Sequence, residues 1–181
     1  MRRGVKVDVK LFVSKARHGD KECLVALIME QKTEYYRLAY TYMKNNEDTM
    51  DAMEDMIVIL YEKIYGLKNE NVFYSWSKTI LVNCCKKLLN KKKKLIFLND
   101  IDDASYDGGF IQSEEQILLE KYLLKLNQKH AEVLKLRYFL DLDNNTIADI
   151  IGIPIGTVKS RISIGLKKLK ESLGGEMNEG G

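Results

Sequence analysis

The sequence predicts an all-α protein of two small helical domains joined by a flexible acidic linker. Three observations predict it. The chain holds one proline in 181 residues, so long stretches are free of the residue that breaks helices. Apolar residues recur every three to four positions over most of the length, the period of a helix with one buried face. One stretch near the middle, "NDIDDASYDGGFIQSEE", has acids, serines and a glycine pair but no such stripe, which marks a joint. A chain of 181 residues suits one ordinary domain or two small ones, and this break favours two.

Along the chain, Leu24, Leu27, Ile28, Tyr35, Leu38, Ala39 and Tyr42 predict one long amphipathic helix over residues 20–43. A turn at "KNNED" follows, with Asp48 as its expected N-cap. The next helix carries Ala52, Met53, Met56, Ile59, Leu60 and Ile64 inward and concentrates its acids in the first turns, where the helix dipole favours them. Gly66 is expected to end it as a C-cap. "LKNENVFYSW" reads as a loop with aromatics at its far edge. A third helix over residues 73–91 turns Trp76, Ile80, Leu81, Cys84 and Leu88 inward. After the linker, cuts at Asn127, at residues 140–143 and at Gly152 divide the rest into four short helical segments, and "GGEMNEGG" reads as a frayed tail. The expected partition is residues 1–95, a linker over 96–113, residues 114–174, and a disordered tail over 175–181.

Several function classes are disfavoured. Lys6, Asp8 and Lys10 interrupt any secretion-type apolar run near the start, and no stretch reaches the roughly 18 apolar residues of a membrane span, so a cytoplasmic location is expected. Three cysteines, two adjacent as Cys84 and Cys85, form neither a disulfide framework nor a metal spacing and read as reduced helix residues. His18 and His130 lie in polar contexts without a nearby candidate nucleophile, and no glycine-rich phosphate loop appears. Neither catalysis, a cofactor, a metal nor a small-molecule substrate is therefore expected.

Net charge is only +3, but its distribution alternates in blocks that point at partners. Glu47, Asp48, Asp51, Glu54 and Asp55 make one acidic block; residues 86–94 are basic, 95–115 acidic, and 159–170 basic. The last basic block sits in "IADIIGIPIGTVKSRISIGLKKLKESL". There a helix of about seven residues ends in Gly152 and a short turn leads into a longer helix, the layout of a helix-turn-helix that offers its second helix to the DNA major groove. Ala148, Gly152 and Val158 fit the close crossing, the left-handed turn and the plug between helices. In the second helix Val158, Ile162, Gly165, Leu166, Leu169 and Leu173 share an inward face. Opposite them lie Gly156, Thr157, Ser160, Ser163, Ile164 and Lys167, flanked by Lys159 and Arg161. Small side chains let the backbone approach base edges, and Thr, Ser, Lys and Arg supply donors for bases and phosphates. The plainer alternative is a surface helix with a solvated lysine end.

"HAEVLKLRYF" followed by "IADIIGIPIGTVKSRISIGLKKL" is similar to the C-terminal DNA-binding domain of the extracytoplasmic-function (ECF) sigma factors of bacteria, with "GTVKSR" the specific element. Response-regulator domains share the general layout, so this half alone leaves two families open. The first half discriminates. "NNEDTMDAMEDMIVILYEKI", "NVFYSW" and "SKTILVNCCKKLLNKKKK" resemble, in that order, the sigma domain that binds core RNA polymerase and opens the minus-10 element. Asp48, Asp51, Trp76 and Asn83 fall on the family pattern, and no strand-helix alternation of a receiver domain precedes the linker.

The resemblance implies a sigma factor that directs core polymerase to promoters. Asp48, Asp51, Glu54, Asp55 and Val58 would meet the clamp helices of the largest subunit, and the flap would be a second polymerase contact. Residues 67–74 would form the pocket for a base flipped from the non-template strand, with Asn69, Asn71 and Tyr74 as contacts and Trp76 more in the core. Asn83, Lys86, Lys87 and Lys91 would face the melted strand, with Lys92 to Lys94 extending the basic run. Gly156, Thr157, Lys159, Ser160, Arg161, Ser163, Ile164 and Lys167 would read the minus-35 element. An anti-sigma factor, commonly membrane-anchored, is also implied, as is the absence of the extra domains of housekeeping sigma factors. Two departures stand out. Pro154 replaces the frequent serine-like cap, and Ile164 and Leu166 stand where basic residues are common, Ile164 suiting a thymine methyl and Leu166 turning inward. The rivals are a stand-alone, dimeric helix-turn-helix regulator and a helical adaptor with solvated basic ends.

Overall fold

A computed structural model describes residues 8–99 and 121–178. Among them every regular element is helical, and they fall into two compact units, Met1–Asp107 and Gly108–Gly181. The acidic linker expected over 96–113 lies almost wholly outside the described residues.

The first unit begins with a helix that the periodicity did not suggest, α1 (Val9–Arg17), capped by Asp8, whose carboxylate accepts from the Leu11 amide at 3.2 Å. Gly19, at φ +98, reverses the chain, and Asp20 caps α2 (Lys21–Glu30) by accepting from the Cys23 amide at 3.0 Å. The single helix expected over 20–43 is two, because Gln31 leaves the helical range at φ −106, ψ 14 before α3 (Lys32–Met43) starts. Lys44 then takes a left-handed φ of 64. Asn45, not Asp48, caps α4 (Asn46–Lys63): its side-chain oxygen accepts from the Asp48 amide at 2.9 Å. Asp48 sits three residues into the helix and completes a reciprocal pair, accepting from Asn45 Nδ2 at 2.6 Å, a variant of the capping box.

Gly66 does not cap α4 in the left-handed conformation either. It closes a 3-10 turn, Ile64–Gly66, and among the described residues the positive-φ glycines are Gly19 and Gly152. A second 3-10 turn, Glu70–Val72, leads into α5 (Phe73–Asn99), longer than the helix expected to stop near residue 91. α5 packs on α3 and α4. Val13, Leu24, Leu27, Tyr35, Leu38, Met56, Leu60, Phe73, Leu81 and Cys85 form the core. Inside it the Tyr35 hydroxyl and Ser77 Oγ share a buried hydrogen bond of 2.7 Å, which satisfies both polar groups where water is excluded. Burial lifts the Tyr35 hydroxyl to about 12 and the Cys85 thiol to about 12.

The second unit is described from the end of a helix at residues 121–124. The three cuts read from sequence are caps here. Asn127 accepts from the Lys129 amide at 3.0 Å and starts α6 (Gln128–Leu134), which runs into a π-type turn, Lys135–Phe139. Asp143 accepts from the amides of Asn145 and Thr146 at 2.9 and 3.1 Å and starts α7 (Asn144–Ile151). Gly152, at φ 69, ends α7 with its amide on the Ala148 carbonyl at 2.9 Å, the left-handed closure that only glycine adopts cheaply. The Pro154 carbonyl accepts from Thr157 and Val158 at 2.9 and 3.1 Å and opens α8 (Ile155–Asn178). α8 continues through 178, so the tail expected from 175 is helical over its first four residues. Val133, Leu134, Leu136, Ile147, Ile150 and Val158 make this core.

Candidate nucleic-acid interface

α7, the Gly152 turn and α8 form the helix-turn-helix, and side-chain size sets how they pack. Val158 is fully buried. Gly165 is buried too: a Cβ there would stand 3.0 Å from Leu134 Cδ1 and 3.3 Å from His130 Cβ, so the missing side chain lets α8 lie close on α6. With that side packed, Gly156, Lys159, Ser160, Ser163, Ile164 and Lys167 are exposed, and Thr157 and Arg161 are half-buried at the margin. Residues 157, 160, 164 and 167 follow helical spacing along one strip, as major-groove docking requires. Ser160 Oγ donates to the Thr157 carbonyl at 3.0 Å, which leaves the hydroxyl oxygen free to accept. Desolvation, then the charges of Lys168, Arg161 and Lys129, hold the His130 imidazole below its ordinary pKa. One expectation is corrected. Leu166 does not turn fully inward but is 40% exposed, on the rim of an apolar cavity of about 280 Å³ lined by Leu123, Leu134, Tyr138, Phe139, Leu166 and Leu169.

In the first unit α4 exposes Asp51, Glu54, Asp55 and Val58, with Met50 nearby on the sequence. Asp48 does not belong to that surface: it is 7% exposed, and its Oδ2 accepts from Asn45 Nδ2 and from Lys92 Nζ, each at 2.6 Å. Burial pushes its carboxyl up, but the bonds from Lys92 and Asn45 and the Lys92 charge outweigh that, and the net shift is downward. Asp48 therefore ties α4 to α5 instead of meeting a partner.

Between these helices an open cleft of about 490 Å³ is lined by Glu62, Lys63, Gly66, Leu67, Lys68 and Trp76. Trp76, expected in the core, is half-buried on this cleft, its ring 6.3 Å from Phe73. Asn69 and Asn71, which follow Lys68 on the chain, are exposed, and Asn69 Oδ1 accepts from the Asn71 amide at 3.0 Å. Tyr74 is less available than expected: its hydroxyl donates to Glu30, and burial, then that carboxylate, raises its pKa. Periodicity missed Trp76, Lys63 and Lys68 as a group, since only folding brings the end of α4 beside the start of α5. Further along α5, Asn83, Lys87 and Lys91 are exposed at intervals of four with Lys86 half-buried beside them, and Lys92 is drawn to Asp48. The side chains of Lys93 and Lys94 lie outside the described residues.

A helix-turn-helix with an exposed cationic strip defines a DNA-binding protein, and the acidic helix, aromatic cleft and basic helix of the other unit add three further surfaces. Comparison with known proteins matches the family model "Sigma-70 region 2" over residues 27–95 and "Sigma-70, region 4" over 122–171. The RNA polymerase sigma factor SigV of Bacillus subtilis (strain 168) is 30% identical over 159 residues, covering 88% of this chain and 96% of that one. The ECF RNA polymerase sigma factor SigW of the same organism is 25% identical over 181 residues, covering 91% and 96%. Among solved structures, the sigma factor RpoE of Bartonella quintana, in complex with the anti-sigma factor NepR, superposes with a TM-score of 0.62 at 22% identity, covering 81% and 96%. CnrH in complex with the cytosolic domain of CnrY superposes at 0.67 and 16%, covering 92% and 97%. The chain belongs to the ECF sigma factors of the sigma-70 family. It binds core RNA polymerase, directs it to promoters and helps open the minus-10 element, and it is not itself an enzyme. Among the described residues no helix is long and apolar enough to cross a membrane.

Proposed function

We propose that the two DNA contacts of this sigma factor divide between the units, and that the exposed strip of α8 carries the minus-35 contact. The observation behind it is the arrangement of Lys159, Ser160, Ser163, Ile164 and Lys167 on the face opposite Val158 and Gly165, with Arg161 and Thr157 at its edge and Gly156 leaving room at the helix start. Ser160 accepts from a base-edge donor, Ile164 packs on a thymine methyl, and the cations hold phosphates. The minus-10 contact belongs to the cleft beside residues 67–72. A flipped base stacks against Trp76 there, with Lys68, Asn69 and Asn71 on its edge and backbone, while Asn83, Lys86, Lys87 and Lys91 follow the melted strand. Stacking and edge bonds offset the few kcal/mol that extrusion costs. Tyr74 supports this cleft through Glu30.

Asp51, Glu54, Asp55 and Val58 meet the clamp helices of the largest subunit, and the apolar cavity rimmed by Leu166 receives the polymerase flap. Residues 1–95 and 114–174 serve as the two functional domains, joined by the acidic segment 96–113. An anti-sigma factor covers the DNA-reading surfaces until induction, in keeping with the complex of RpoE of Bartonella quintana with the anti-sigma factor NepR, and holds this cytoplasmic protein at the membrane when that partner is anchored there. Run-off transcription with bacterial core polymerase tests the whole: this protein should yield promoter-dependent product that Ser163→Ala with Ile164→Ala redirects or abolishes. If those substitutions leave transcription from every responsive promoter unchanged, α8 does not read the minus-35 element.

A further inference from the structure

Helix α1 lies before the segment matched to either sigma region, which begins at residue 27, yet it packs on both 3-10 turns of the cleft loop, Ile64–Gly66 and Glu70–Val72. Its inner side, Val13 and Ala16, is buried. Its last turn sends Arg17 across 53 positions of sequence, where Nη1 donates to Glu70 Oε1 at 2.8 Å. Both side chains are about 30% exposed, and Arg17 Nε is buried without a hydrogen-bond partner. Backbone bonding at Glu70, then the Arg17 bond and charge and the charge of Lys10, hold the Glu70 carboxyl below its usual range. Lys10 and Arg17 are seven residues apart, two turns on one face of α1, so this face is directed at the loop.

A part-exposed pair with an unsatisfied buried nitrogen adds little to stability. Its geometric effect is larger. Residues 67–72 contain one short turn, and ordering such backbone costs conformational entropy at every residue, a cost that strand capture would otherwise bear. Asn69 and Asn71 flank Glu70 directly, so fixing the Glu70 side chain fixes the backbone that aims them.

We infer that α1 braces the strand-capture loop, with Arg17 as a positioning residue that presets residues 67–72 for the non-template strand. The inference rests on the minus-10 reading above, and the experiment separates the two. Holoenzyme assembled from core polymerase and the full chain is titrated with a fluorescein-labelled single strand carrying the minus-10 sequence of a promoter it transcribes. Arg17→Gln should bind the strand roughly fivefold more weakly and discriminate less between minus-10 base substitutions, with core affinity unchanged. Arg17→Lys should retain most binding, and Arg17→Glu with Glu70→Arg should restore what Arg17→Glu loses. Strand affinity and base preference within twofold of wild type in Arg17→Gln would overturn the brace, as would a folded charge swap that restores nothing. Should Arg17→Gln unfold, Glu70→Gln is judged by the same criterion. If Lys68→Ala with Asn71→Ala leaves strand binding unchanged, the loop is not the capture site and both ideas fail. If that pair weakens binding while Arg17→Gln does not, the brace alone fails.

Discussion

Replacing Asp48 with asparagine should destabilise the first unit by about 2 kcal/mol. The carboxylate is 7% exposed and accepts two short bonds, from Asn45 Nδ2 and Lys92 Nζ at 2.6 Å each. A hydrogen bond to a buried charged group contributes roughly 1.5–3 kcal/mol, and the charge lies in the first turn of α4, where the dipole adds about 0.3–1. Lys92 is 54% exposed on its side chain, so solvent screens its share and the lower half of that range applies. The Asn45 cap on the Asp48 amide survives the change. For a unit of this size about 2 kcal/mol lowers Tm by roughly 8–16 °C, readable by circular dichroism of the full chain. Lys92→Met should cost less, and the double mutant less than the sum, because the two act through one bond. The pH dependence has a definite sign. The folded carboxyl is depressed, so its stabilisation is present above the unfolded value near 4 and is lost as pH falls through the folded value. Wild type and Asp48→Asn should converge below that point. A melting temperature for Asp48→Asn within 2 °C of wild type at neutral pH, or additive single mutants, would refute the ion-pair account.

Gly165→Ala should lower the stability of the second unit by about 1 kcal/mol, because crowding against Leu134 Cδ1 at 3.0 Å and His130 Cβ at 3.3 Å costs about 1–3 kcal/mol and is offset in part by the roughly 1 kcal/mol that alanine gains over glycine inside a helix; thermal melts of the full chain report it. Lys159→Ala, Ser160→Ala and Arg161→Ala together should reduce promoter-dependent transcription at least tenfold and lower the salt slope of holoenzyme binding by about 2, with melting almost unchanged. Asp51→Asn, Glu54→Gln and Asp55→Asn together should weaken core association without lowering Tm, in contrast to Asp48→Asn, as fluorescence anisotropy with labelled protein would measure.

What could be read from sequence was whatever a few neighbouring residues decide. Asn127, Asp143 and Gly152 terminate helices through bonds spanning two to four residues, so the cuts in the second unit emerge from residue chemistry alone, and with them the face of α8. Resemblance to a family added the order of surfaces in the first unit. The errors arose where distant residues decide. Asp48 looks like a surface acid until Lys92 arrives from 44 positions away, and Tyr74 looks free until Glu30 does. Leu166 follows the apolar period yet remains 40% exposed at a rim, while Gly165 next to it takes the buried place against Leu134 and His130. Asn45 and Asp48 both suit a cap by residue type, and Asn45 takes the place because it follows the left-handed Lys44 directly and α4 starts at Asn46.

The Gly152 turn has an evolutionary consequence. The direction in which α8 leaves it is set by main-chain torsion at Gly152 and by the buried Val158 and Gly165, whose side of the helix is opposite the exposed strip. Presentation and vocabulary are therefore separate. On the proposed minus-35 reading, exchanges at Ser160, Ser163 or Ile164 would alter which bases are matched while the helix arrives at the same angle, so a lineage could retune its set of genes without rebuilding the reader.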